Sequence, residues 1–100
     1  MLFKIVCSEN HKLVEIDGSL NVKNLKQQVK KKFGERLENK DIELKNRVCN
    51  PVKLHDKHIL NRLPTSVPNI QVDLVEGYPQ YTLYVEIVYN NNDENKCIIL

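Results

Sequence analysis

His55 and His58 flank Asp56 in the run Leu54-His55-Asp56-Lys57-His58, and this is the first place in the chain where metal chemistry suggests itself. Two imidazoles and a carboxylate make three ligands, but zinc needs a further protein ligand or an open catalytic position, and no other His or Cys lies nearby in sequence. The simpler reading is a polar surface turn, so no metal and no cofactor are expected. The cysteines Cys7, Cys49 and Cys97 raise the question of a nucleophile. A catalytic thiolate needs a base within hydrogen-bond reach, and no motif supplies one. Cys7 and Cys49 fall inside predicted strands, where a thiol behaves as a small apolar core residue. No glycine-rich phosphate loop is present, and the expectation is that the chain is not an enzyme. Cys97 stands apart, because Cys97-Ile98-Ile99-Leu100 has the form of a Cys-aliphatic-aliphatic-X box. Leucine in the last place favours a geranylgeranyl group on Cys97.

The elements that would carry these residues belong to one small domain. One hundred residues are enough for a single modest core, and a 41% hydrophobic content excludes a disordered chain. Three cysteines without a CxxC spacing argue against a disulfide framework and suit a reducing interior. The N-terminal residues lack the basic start and long apolar stretch of a signal peptide, and no apolar run approaches the ~18 residues of a membrane span. The expected location is therefore cytoplasmic or nuclear, and membrane-associated only if Cys97 is prenylated. A net charge of +2 gives no electrostatic case for nucleic acid. Lys23, Lys26, Lys30, Lys31 and Lys32 lie on one segment without interleaved aromatic residues, so they read as a solvated helix face.

Hydrophobic spacing assigns the elements. Phe3, Ile5 and Cys7 alternate, a polar turn at Ser8 to His11 follows, and Val14 and Ile16 resume the alternation, which predicts a hairpin. Val22, Leu25, Val29 and Phe33 then recur at three- and four-residue spacing and predict one amphipathic helix. Asn21 is placed to cap its start, Gly34 to end it, and Lys30 to Lys32 to complement the dipole at its last turn. Ile42-Glu43-Leu44 alternates as a strand, Asn50-Pro51 breaks the run, and Val52 to Leu54 suggests a short further strand. Leu54 to Leu63 reads as a loop pinned to a core by Ile59, Leu60 and Leu63. Residues 69–75 read as a strand with Ile70, Val72 and Leu74 on one face. A helix that must bury an apolar stripe against several strands implies an α+β fold, a four- to five-stranded mixed sheet wrapped on one helix.

Over residues 1–76 the chain resembles ubiquitin and its relatives. Leu54-His55-Asp56-Lys57-His58-Ile59-Leu60 is similar to the family's Leu-x-Asp-x-x-Thr-Leu segment, and the strand Ile70 to Leu74 follows at near-family distance. Asn21-Val22, Leu25, Val29 and Gly34 match the family's helix cap, core positions and terminal glycine, and Met1 to Ile5 matches its start. The resemblance implies a β-grasp domain over 1–76 and leaves 77–100 as a C-terminal extension, either an added strand or hairpin or a prenylated tail. In the hairpin version, Thr82 to Tyr89 pairs with Cys97 to Leu100 across a turn at Asn90 to Asn95.

Departures from the family pattern direct the functional expectation. Conjugated modifiers end in Gly-Gly, whereas this chain runs Val75-Glu76-Gly77-Tyr78-Pro79, so covalent attachment is not expected unless processing occurs at Gly77. The family's exposed apolar patch is altered, with Asp73 where a valine stands on the last strand and Lys45-Asn46-Arg47 near the central isoleucine. Val48 takes that place under another alignment. Such charges reject readers of an aliphatic patch and select others. The expected function is a non-conjugated adaptor of a ubiquitin-related pathway that binds a protein partner through one sheet face. Lys45, Arg47, Val48, Gln71 and Asp73 are the expected contact residues. The alternative is a prenylated, membrane-anchored ubiquitin-fold protein that recruits a partner to membranes.

Overall fold

A computed structural model describes residues 1–89. The chain opens with a hairpin of β1 (Leu2–Cys7) and β2 (Asn10–Glu15), turned at Ser8-Glu9, where Ser8 takes a positive φ. Its inward residues Phe3, Ile5, Cys7 and Val14 are buried, so the alternation read in the sequence is the alternation of the pleat.

Helix α1 (Val22–Phe33) then crosses one face of the sheet, burying Val22, Leu25, Val29 and Phe33. Its start is fixed by a reciprocal box in which the Asn24 backbone N–H donates to Asn21 Oδ1 at 3.0 Å and the Asn21 N–H donates to Asn24 Oδ1 at 3.2 Å. Two donors that the first turn leaves unpaired are satisfied this way. The end is set by Gly34 at φ 65, a left-handed conformation glycine adopts without strain, and its N–H returns to the Lys30 carbonyl.

The remaining elements are β3 (Asp41–Lys45), a short α2 (Leu63–Ser66), β4 (Gln71–Val75) and β5 (Tyr78–Val88). The five strands form one mixed sheet. β5 pairs parallel with β1 through residues 80–84, antiparallel with β3 through 84–88, and antiparallel with β4 through 78–82. The result is a β-grasp-like α+β architecture, a five-stranded mixed sheet holding one main helix, as the sequence pattern implies.

One part of the expected layout is corrected. Tyr78–Val88 is the central strand of the sheet, not an addition to it, and a division into 1–76 and 77–100 would cut the sheet at the β4–β5 turn. The strand expected over 69–75 forms as β4 and is the outer arm of a hairpin, all of its residues from Gln71 to Val75 exposed. β1 and β3 offer core-lining partners, and Leu83 of β5 fills the space between them completely buried, with Val85 and Ile87 packed against the same core. Nothing in 70–75 buries comparable area, so burial selects the later strand. The proposed partner strand at Cys97 to Leu100 and its turn lie outside the described residues.

Two smaller corrections follow. Val52 to Leu54 makes only an isolated bridge, Lys45 to Lys53, together with a Leu54 N–H bond to the Leu44 carbonyl at 2.8 Å. Cys7 is buried as expected, but Cys49 is exposed, because β3 ends at Lys45 and residues 46–50 form the loop that follows it. Leu54, Leu60, Leu63 and Val67 anchor the long 50–70 connection in the core.

Candidate protein-interaction face

Sheet pairing decides which side chains share a face. Tyr81, Leu83, Val85 and Ile87 of β5 face the helix with Phe3, Ile5, Ile42 and Leu44, and Phe3 meets Tyr81 with ring centroids 5.7 Å apart. The alternate set, Gln80, Thr82, Tyr84 and Glu86, belongs to the face the helix leaves uncovered. Beside them in register stand Lys4 and Val6 of β1, Glu43 and Lys45 of β3, and Gln71 and Asp73 of β4.

Of the five residues expected to contact a partner, Lys45, Gln71 and Asp73 therefore line one flank of β5 on the uncovered face. Lys45 is opposite Tyr84, Gln71 opposite Thr82 and Asp73 opposite Gln80. Gln71 Nε2 donates to Asp73 Oδ2 at 3.1 Å, which orients the carboxylate along the strand. The Lys45 ammonium lies 4.0 Å from Glu86 Oε2, and the Lys53 ammonium lies 3.4 Å from Glu86 Oε1 without hydrogen-bond alignment. Arg47 and Val48 sit in the loop beyond β3, where Arg47 Nε donates to the Asn50 carbonyl at 3.0 Å and Val48 is 66% exposed.

The residue that joins these pieces is Asn46, which sequence reasoning treated as part of a surface run. It is almost completely buried. Its Oδ1 accepts from the Val52 N–H at 2.7 Å, its backbone N–H donates to the Val52 carbonyl at 3.2 Å, and its Nδ2 donates to the Pro68 carbonyl at 2.6 Å. One side chain thus closes the Arg47-containing loop and ties the entry of β4 to the end of β3. The only sequence signal for this role is an Asn ahead of the Asn50-Pro51 break, a residue type whose short amide bonds local backbone.

Exposed apolar surface concentrates on the β4–β5 hairpin. Leu74 and Tyr78 are 76% and 71% exposed, and Val72 and Val75 are exposed as well. Between the hairpin turn and the start of β1 lies an open cavity of about 630 Å³ lined by Met1, Leu2, Glu15, Val75, Glu76, Tyr78, Pro79 and Tyr81. The turn itself, Glu76 at φ 51 and Gly77 at φ 84, has both central residues left-handed, the type that matches the twist of the flanking strands.

Two charged groups hold the scaffold. Lys26 of α1 donates to Glu43 Oε1 at 3.0 Å and Asp56 Oδ1 at 2.6 Å, linking the helix to β3 and to the 50–60 connection. Burial alone would lower its pKa, but the hydrogen bonds to Asp56 and Glu43 and their negative charges outweigh it and raise the pKa above its ordinary value. Asp17 is held below its usual value by the Ser19 backbone N–H and then by the Ser19 hydroxyl, both at 2.8 Å. The Asp56 carboxylate is therefore engaged by Lys26, and His58 Nδ1 accepts the His55 N–H at 3.4 Å. Among the described residues no group of three His, Cys, Asp or Glu side chains is arranged to hold a metal ion. Among them, too, no helix is long and apolar enough to cross a membrane. Cys97 lies outside the described residues. No protein-family model matches the chain, and no curated protein matches it in sequence.

Proposed function

We propose that the chain is a non-conjugated ubiquitin-like interaction module, an adaptor that binds a protein partner through the uncovered face of its sheet. The observation that carries this reading is the alignment of Lys45, Gln71 and Asp73 along one flank of β5, continuous with the Arg47–Val48 loop through buried Asn46. A face with mixed charges beside exposed aliphatic residues suits a partner that pairs polar groups along β5 and buries Val48 at the adjoining loop. Attachment through Gly77 is not retained, because cleavage there would remove the central strand β5.

The test is affinity capture from cells with the whole chain as bait, beside Arg47→Ala and Asp73→Lys variants. Partners retained by the parent chain and lost by both variants, with unchanged melting temperature, support the reading. Partners indifferent to both substitutions count against this face.

The prenylated alternative draws support from the placement of β5. With Thr82–Val88 inside the sheet, the apolar run no longer counts against an anchor, and the sequence from Asn90 to Lys96 reads Asn-Asn-Asn-Asp-Glu-Asn-Lys, the polar composition such an anchor requires ahead of Cys97. In a protein whose carboxyl terminus is Leu100, intact mass and membrane partitioning of the chain and of Cys97→Ser in eukaryotic cells decide the matter. A prenyl increment with membrane binding lost in Cys97→Ser makes the module a membrane recruiter, and an unmodified soluble chain removes that role.

A further inference from the structure

Among the described residues, the free edge of β4 is the least protected of the sheet's margins. The edge of β3 is occupied by the Lys45–Lys53 bridge and the Leu54 N–H, and β2 carries His11 and Lys12 along its length. β4 (Gln-Val-Asp-Leu-Val) has neither lysine nor proline, and among the described residues its backbone bonds only to β5. Lysine, proline and bulges are the usual guards of an edge strand.

Its geometry defines what is on offer. A two-residue turn closes on a hydrogen-bonded pair, here Val75 with Tyr78, and the ladder alternates from there. Asp73 and Gln71 therefore direct their backbone groups toward β5, while Leu74 and Val72 direct N–H and C=O outward. The position of Pro79 agrees with this, since it faces Leu74 at a non-bonded site where β5 needs no N–H toward β4. Val72 and Leu74 also place exposed side chains on the helix side of the sheet, beyond the helix itself.

We propose that this edge pairs with β4 of a second copy of the chain, antiparallel, about a two-fold axis at Val72, to form one continuous sheet. The strand is complementary to its own reverse in that register. Val72 opposes Val72, Leu74 opposes Ile70, and Gln71 opposes Asp73 on both sides of the axis. Outward-facing residues must oppose outward-facing residues, so the neighbouring allowed registers are centred on Asp73 and on Gln71. The first sets Asp73 against Asp73 at a close, non-bonded position, where like charges repel, and the second sets Asp73 against Asn69, which lies outside β4 at φ 61, so the Gln71–Asp73 pairs are lost. Polar complementarity thus selects both the occupant and its register.

Sedimentation of the full chain from about 1 µM to about 1 mM, a range spanning weak to moderate self-association, tests this. The expected result is a reversible dimer. Gln71→Glu, which creates two carboxylate pairs across the axis, weakens it about tenfold, and Gln71→Lys strengthens it. Leu74→Pro blocks the outward N–H without removing a bond to β5 and abolishes it. In a Cys49→Ser, Cys97→Ser background, Val72→Cys forms an intermolecular disulfide under mild oxidation and Asp73→Cys does not. A monomer at every concentration overturns the proposal and leaves the edge to a strand from a different protein. A dimer indifferent to the Gln71 and Leu74 substitutions overturns it as well, and amide spectra of each variant confirm that it remains folded.

Discussion

The body of the sheet under the helix and the β4–β5 hairpin that extends from it contain similar residues arranged to opposite ends. Ile42, Leu44 and Leu83 are buried under α1, whereas Val72 and Leu74 alternate in the same way and, with Val75, remain in water. The difference lies in their neighbours. β3 and the middle of β5 are covered by the helix, and β5 has strands on both sides, while β4 pairs with β5 on one side and, among the described residues, with no strand on the other. Equal hydrophobicity therefore yields a buried core in one region and exposed apolar surface in the other.

Substitution of Leu25 by Ala is the most direct way to break this contrast. Leu25 is completely buried on the helix, so Leu25→Ala should cost about 2–5 kcal/mol, while Leu74→Ala should stay within about 0.5 kcal/mol. Urea unfolding of the two variants compares them, and equal losses would show that the hairpin belongs to the core after all. Asn46→Ala comes next, because it leaves the Val52 N–H and the Pro68 carbonyl without their partner at a part-buried site. A loss of about 2–3 kcal/mol is expected, with early exchange of β4 amides as the sign that hairpin and body have been uncoupled.

Lys26→Met sharpens the comparison from the body side, with an expected cost of about 1 kcal/mol, since Glu43 and Asp56 keep partial access to water. The sign of its pH dependence follows from the raised pKa. The folded state holds the Lys26 proton more tightly than the unfolded chain, so the contribution is full below the ordinary value of 10.5 and fades as pH rises through the folded-state value. The stability gap between the parent chain and Lys26→Met should accordingly narrow at high pH. The smallest effect is at Asp17, whose depressed pKa contributes stability above 3.8 that is lost as pH falls through its lower folded value. Asp17→Asn should flatten the acid limb of the stability profile slightly and leave neutral pH almost unchanged.

Local chemistry made several elements legible before any fold was known. The helix from Val22 to Phe33 follows from its apolar period, its Asn21 cap and its Gly34 stop, because each acts within a turn or two of chain. The first hairpin follows from alternation across a short polar turn. Lys45, Gln71 and Asp73 were legible as surface residues of strands, although Asn46 between them was not. Its burial depends on Pro68, and a pair 22 positions apart leaves no mark on either segment's pattern.

The order of strands was decided by tertiary structure alone. Residues 70–75 and 82–88 alternate equally well, so period and propensity declare both to be strands and say nothing about which lies in the middle. Alternation records that one side of a strand is apolar; it does not record which neighbours stand at its edges. Only closure of β5 between β1 and β3, with Leu83 sealed beneath the helix, makes the later segment central and leaves β4 outside with an open edge.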